Sequence, residues 1–274
     1  MAERQSAFII FHRNTALLFP STHINRVRLK HLHVSFGFFL YISQPICSHK
    51  LLHMKIGILG SGPVGLTLTE GLIMAGHEVI LGTRNPAKES LQQWIKKKGG
   101  PKVTAAPFRD AAAQGELLVI CTSWAGTQKA IEAAGLWNFK NKVVVDVTNP
   151  LDGKGPDQQG RLSFSVGHTN SAGEQLQAWL PPDAHVVKAL SCIGHESMFR
   201  SQQEPEKETP TMFICGNKRA AKMAVTTLLN EMGWKDIVDM GTIEMSRNIE
   251  PLSILWYAYG FRTGTWSHAF KLVK

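Results

Sequence analysis

From Met54 onward, short runs of consecutive apolar residues alternate with longer stretches whose apolar positions recur at helical spacing. Runs such as Leu117-Leu118-Val119-Ile120 and Val143-Val144-Val145 present no polar face, which suits strands covered by helices on both sides. The pattern predicts strands at 55–59, 78–82, 117–121, 142–147 and 185–190, in the order of parallel βαβ units. After the first strand, Val64, Leu68, Leu72 and Ala75 share one helix face, and Gly76 supplies the stop. Two stretches break the alternation. Asp152 to Gly160 is dense in Gly, Pro, Asp and Gln and reads as a mobile loop beside the site, and Ser201 to Pro210 is polar and charged. Ser171 and Glu174 have the spacing of a capping box for a helix toward Trp179, which Pro181-Pro182 ends. A strand at 211–215, a helix near 218–232, a strand around 236–239 and helical sequence to the end complete the chain. The expected fold class is α/β: a Rossmann-type, doubly wound, mainly parallel sheet over 54–200 with a small C-terminal α/β subdomain over 201–274.

Residues 1–53 follow neither period, and Met54 stands directly before the first core strand. This segment is expected to be an extension outside the fold. Its Arg-rich, acid-poor composition resembles a mitochondrial presequence, but Ala7 to Phe11 is uniformly apolar rather than amphipathic. Its most apolar stretch, Val34 to Ser43, is too short for a hydrocarbon core that takes ~20 helical residues. No membrane partner is expected. The formal net charge of +9 raises the question of nucleic acid, but Arg4, Arg13, Arg26, Arg28, Lys30 and Lys50 stand against Glu3 alone in the extension. The remaining excess is ordinary for a protein that binds a phosphorylated cofactor, so no nucleic-acid partner is expected. Cys47, Cys121, Cys192 and Cys215 lack C-x-x-C or zinc-ligand spacing; a reduced, cytoplasmic setting and no metal are expected.

The chemistry is concentrated after the first strand. Gly60-Ser61-Gly62-Pro63-Val64-Gly65 joins Lys55-Ile56-Gly57-Ile58-Leu59 to an amphipathic helix, the context in which a G-x-G-x-x-G turn binds a dinucleotide. Gly60 permits the tight turn, Gly62 leaves room for the pyrophosphate, and Gly65 allows helix and strand to pack closely. The helix N-terminus offers free N–H groups and the positive end of its dipole. At the end of the second strand, NAD enzymes place an acid on the ribose hydroxyls, whereas this chain has Gly82-Thr83-Arg84-Asn85. Thr83, Arg84 and Lys88 can instead meet a 2′-phosphate, so NADP is the expected cofactor; solvated surface charge is the alternative role for Arg84 and Lys88.

Ligands of doubly wound sheets lie across the carboxyl ends of the strands. Those ends bring in Thr122, Ser123 and Trp124, then Asn149 and Pro150, and then Ser191 and Ile193. Trp124 is open to a place beside the cofactor or in the core. Asn149 is open to an amide contact with the nicotinamide or a turn before Pro150.

These blocks resemble the family of coenzyme F420-dependent NADP oxidoreductases and the related cytoplasmic oxidoreductase domain of the STEAP metalloreductases. The matching pieces run through nearly all of 54–274: the glycine turn, Gly82-Thr83-Arg84-Asn85-Pro86, Val145-Asp146-Val147-Thr148-Asn149-Pro150, Val186-Val187-Lys188-Ala189-Leu190, Ile214-Cys215-Gly216 and Val238-Asp239-Met240-Gly241. The resemblance implies direct hydride transfer between NADP and a flavin or deazaflavin such as F420. Such chemistry rests on proximity and requires no protein acid or base, so no catalytic residue is assigned. Where the deazaflavin enzymes carry a His by the second cofactor, this chain has Ser191; Ile193 is the local apolar contact carried over. A small-carbonyl dehydrogenase would need a Lys general acid, for which Lys218 and Lys222 are only exposed-helix candidates. An NADP-binding redox sensor or partner module without turnover is the non-enzymatic alternative. Trp256, Tyr257, Phe261 and Trp266 are open to core packing, an acceptor pocket or a homodimer contact.

Overall fold

The computed structural model describes residues 7–12, 15–20, 53–199 and 209–273. Most of the expected extension, including Val34 to Ser43, and most of the polar break at 201–210 lie outside the described residues. The chain divides into two units between Cys47 and Ser48. In the first, strands β1 (Ala7–His12) and β2 (Thr15–Pro20) pair antiparallel.

The second unit is built on one eight-stranded sheet. Its strands are β3 (Lys55–Leu59), β4 (Glu78–Gly82), β5 (Val103–Ala106), β6 (Leu117–Ile120), β7 (Val143–Asp146), β8 (His185–Lys188), β9 (Thr211–Gly216) and β10 (Asp236–Asp239). The order is β10-β9-β8-β7-β6-β3-β4-β5. From β5 across to β8 every pairing is parallel, and the chain works outward from β3 in both directions. The crevice between β3 and β6 is therefore the switch point at which ligands of this architecture bind.

Helices cover both faces because the strands are apolar on both. On one side α1 (Pro63–Ala75) and α6 (Arg219–Glu231) bury Leu68, Leu72, Val225, Leu228 and Leu229 in a cluster with Ile56, Ile58, Val119 and Val145. On the other, α3 (Phe108–Gln114), α4 (Trp124–Ala134) and α5 (Ala172–Trp179) place Ala111, Ile131, Ala134 and Leu176 against Leu118, Ile120 and Val144. Helix α2 (Glu89–Trp94) precedes β5, and α7 (Ser246–Thr263) ends the helical sequence. Gly76 closes α1 in the left-handed conformation, at φ 107°, as its sequence position implies.

Two details differ from the expectation. Strand β5 has no clear signature in sequence: it is four residues long and only Val103 is buried. Strand β8 stops at Lys188 rather than 190, because Leu190 takes a left-handed backbone, φ 59°, that no ladder accommodates. The strands of the C-terminal segment extend the same sheet: β9 pairs antiparallel with β8 through Val187↔Gly216 and Lys188↔Cys215, and β10 runs parallel to β9.

Candidate functional site

The turn between β3 and α1 stands at the switch point. Gly60 has φ 134° and lies so close to Cys121 that an added Cβ would meet its carbonyl oxygen at 2.9 Å. At Gly65 the same atom would fall 2.0 Å from the Gly60 carbonyl oxygen, so only glycine lets the helix start against the turn. Gly62 is different: it is exposed, and a Cβ there would meet nothing within 4 Å. Protein packing does not demand a glycine at 62. The open space lies at the mouth of α1, whose N-cap is Gly62, with Pro63 next, no acidic residue in the first turn and no side-chain cap. The amides of Val64 and Gly65 thus point outward without helical partners, a cradle of the kind that fits a phosphate group.

The end of β4 is tied to this turn. Ser61 donates to Thr83 Oγ1 at 2.9 Å, the Asn85 amide approaches the same oxygen at 3.4 Å, and the Thr83 amide holds the Ala106 carbonyl. Thr83 is nearly buried, whereas Arg84, Asn85 and Lys88 are exposed. Among the described residues, neither Arg84 nor Lys88 forms an ion pair. The hydroxyl framework positions the loop, and two cations project from it.

The remaining strand ends line the other half of the crevice. Thr122 Oγ1 lies 2.8 Å from Thr127 Oγ1, and Ser123 is the N-cap of α4. The Trp124 ring stacks on Trp179, with centroids 5.2 Å apart, and so serves packing between α4 and α5. Past β7, Asn149 donates through Nδ2 to the Ser191 carbonyl at 2.7 Å and thereby bridges the ends of β7 and β8. Pro150 is buried, and its carbonyl receives Ser165 N–H at 2.7 Å as the long loop returns. Four buried side-chain polar atoms have no hydrogen-bond partner among the described residues: Asp183 Oδ1, Asp146 Oδ2, which faces the Lys188 ammonium, and, at the strand ends, Asn149 Oδ1 and Ser191 Oγ. A buried hydroxyl or amide oxygen left without a partner costs about 1–3 kcal/mol, and Asn149 and Ser191 follow the neighbouring strands β7 and β8. Ile193, two residues on, is buried in the apolar cluster that includes Leu190, Met198 and Trp234. Leu190, buried at positive φ immediately before Ser191, carries a backbone strain of ~1–3 kcal/mol of the kind that collects at sites.

A cluster of charges lies beneath this shelf. Lys188, fully buried, lies 2.6 Å from Asp146 Oδ2 and 2.8 Å from Glu250 Oε1, and donates to the Thr148 carbonyl at 2.8 Å. Asp146 Oδ1 accepts from both the amide and the hydroxyl of Thr148. Glu250, from α7, accepts the Ala172 and Gly173 amides at the start of α5. Burial works against the Lys188 ammonium, but the carboxylates of Asp146 and Glu250 outweigh it and hold the pKa above the ordinary lysine value. These three residues were not singled out from the sequence, although a signal was present: Asp146 and Lys188 each interrupt an otherwise apolar strand, and a charge there needs a partner. The thiol of Cys121, packed under the glycine turn, is pushed up to about 12 by burial, so it stays protonated and offers no nucleophile.

Residues 55–150 match the family model described as NADP oxidoreductase, coenzyme F420-dependent. A crystal structure from Arthrobacter sp. FB24, of a candidate F420-dependent NADP-reductase, is 36% identical, with a TM-score of 0.73, covering 81% of this chain and all of that one. The F420-dependent NADP reductase of Methanocaldococcus jannaschii is 27% identical over 209 residues, 74% of this chain and 90% of that protein. The metalloreductase STEAP3 of Rattus norvegicus is 29% identical over 205 residues, 73% of this chain; the chain spans only 37% of that relative. Among the described residues, no helix is long and apolar enough to cross a membrane.

Proposed function

Since this chain belongs to the family of coenzyme F420-dependent NADP oxidoreductases, we propose that it transfers a hydride between NADP(H) and a flat flavin or deazaflavin acceptor at the ends of β6, β7 and β8. The observation that carries this reading is the pair of buried, unpartnered atoms, Ser191 Oγ and Asn149 Oδ1, on the opposite side of the switch point from the phosphate cradle. The amides of Val64 and Gly65 hold the pyrophosphate. Arg84 and Lys88, flanking Asn85, face the 2′-phosphate, and Thr83 and Ser61 keep that loop in place. Asn149 and Ser191 give the hydrogen bonds that orient the reacting ring. When bound, NADPH supplies a hydride with its electron pair, becoming cationic at the nicotinamide, and the reduced acceptor draws its balancing proton from solvent. The protein's share is alignment and the exclusion of water, and no acid or base is assigned.

Anaerobic mixing with NADPH and a panel of flavins, F420 and quinones, followed at the reduced-nicotinamide absorbance band, tests the proposal. Turnover with a flavin or F420 is expected; binding of NADPH without oxidation by any acceptor would leave only a sensor role. Ser191→Ala should leave the melting temperature unchanged or slightly raised, since it deletes an unpartnered hydroxyl, while weakening turnover by up to roughly ten-fold. Because Ile193 is buried in the core, its enlargement would test packing rather than the acceptor. The identity to STEAP3 favours a second reading, in which the electrons pass on from a flavin to a metal ion as substrate. Ferric ion in the same assay separates the two.

A further inference from the structure

The charge cluster under the shelf has no part in the hydride transfer outlined above, and its composition is unusual for a merely structural device. Asp146, Lys188 and Glu250 are all essentially inaccessible to solvent, and two carboxylates face one ammonium, a formal net charge of −1. A buried ion pair is already a poor source of stability compared with apolar side chains of the same volume, and an unbalanced cluster is poorer still. The N–H and O–H groups of Ala172, Gly173 and Thr148 solvate the two carboxylates but carry no formal charge, so the surplus stays on the cluster. The cluster is also wired to the shelf by short links. Lys188 holds the Thr148 carbonyl and Asp146 holds the Thr148 amide, Asn149 follows directly and bonds the Ser191 carbonyl, and Ser191 is three residues beyond Lys188. Lys188 Nζ is 2.8 Å from the carbonyl of Thr148, the residue bonded to Asn149, so the cluster lies on the order of 10 Å from Asn149 Oδ1 and Ser191 Oγ.

We propose that Asp146, Lys188 and Glu250 are positioning residues that fix the Asn149–Ser191 shelf and, through their net negative charge, favour the oxidised, cationic nicotinamide over the neutral reduced one. This inference rests on the placement of the nicotinamide at that shelf. At about 10 Å and an effective dielectric of about 20, one unit of charge changes the preference on the order of ten-fold. Since the cluster is buried, salt screens it little.

The test is calorimetric titration of NADP+ and of NADPH into the unmodified chain and into Glu250→Gln and Asp146→Asn, each of which cancels the surplus charge while keeping the shape. The ratio of NADP+ to NADPH affinity is expected to fall on the order of ten-fold in either variant, and to do so equally at low and high salt. Equal loss of both affinities, with the ratio unmoved, would show a structural role only and overturn the proposal. If neither variant melts cooperatively, the unmodified chain decides: NADP+ bound as tightly as NADPH or tighter supports the charge assignment, and NADPH bound ten-fold tighter or more overturns it. Failure of both nucleotides to bind the unmodified chain would instead refute the site reading on which the inference stands.

Discussion

At the scale of single residues, the three glycines of the turn separate folding from binding. Gly65→Ala drives a methyl into the Gly60 carbonyl, a backbone atom that cannot yield, so the variant should lose ~1–3 kcal/mol of stability. Gly62→Ala meets no protein atom, and its backbone, φ −81°, suits alanine. Its melting curve should match the unmodified chain while NADPH affinity drops, because the methyl occupies the space kept for the pyrophosphate. Equal affinity in Gly62→Ala, measured by titration, would remove the phosphate from that position. Arg84 bears on a different quantity. Its exposed guanidinium is free to fork onto a 2′-phosphate, and a charged hydrogen bond is worth ~1.5–3 kcal/mol. Arg84→Ala should therefore reduce the preference for NADPH over NADH by roughly ten- to a hundred-fold while changing NADH affinity little; an intact preference would assign the discrimination elsewhere.

At the scale of elements, α5 shows how local and long-range chemistry share one helix end. Half of the sequence signature forms: Ser171 Oγ accepts the Glu174 amide, but the Glu174 carboxylate takes the Ser171 hydroxyl at 2.7 Å, and the Ser171 amide goes to Asn170 Oδ1 instead. Tertiary structure adds Arg247 of α7, which grips both oxygens of Glu174, and Glu250, which holds the next two amides. The Arg247 hydrogen bond is the main cause of a Glu174 pKa below the ordinary glutamate range. A depressed folded-state pKa stabilises the protein at pH above the unfolded value, and that stability is lost as pH falls through the folded one. The guanidinium is partly exposed, so solvent screening keeps the effect small. On acidification below the ordinary glutamate range, the melting temperature should fall, and Arg247→Ala should flatten that part of the profile. An unchanged slope in the variant, followed by calorimetric melts from neutral to acid pH, would show that the bridge contributes nothing.

For the whole molecule, the sheet is complete from β3 onward, and every residue assigned to the site lies beyond Met54. A chain beginning at Met54 should melt cooperatively and bind NADPH with the affinity of the full chain. Loss of either on truncation would give residues 1–53 a share in the fold. The sheet order also explains why one crevice receives contributions so far apart in sequence: β3 and β6 are neighbours, so Gly60 and Cys121 touch although 61 residues separate them.

The glycine turn, the acid-free end of β4, the strands covered on both faces and the α5 cap could all be read from the sequence, because each depends on neighbours a few residues away. Backbone freedom at Gly60, periodicity over Val64 to Ala75 and the Ser171–Glu174 spacing are local physics. What the sequence did not reveal depends on partners brought together from distant positions. Lys188 is a lone charge in an apolar strand until β7 sets Asp146 beside it and α7 brings Glu250 from 62 residues away. Ile193 reads as a local apolar contact, but only the packed elements show that Leu190, Met198 and Trp234 share its cluster. Trp124 is open to the cofactor side or the core in the sequence, and only the packed elements show that α5 sets Trp179 against it. In each case the side chain's chemistry was legible, but its environment was decided by which elements packed against it, since burial and pairing are properties of contacts that local sequence does not contain.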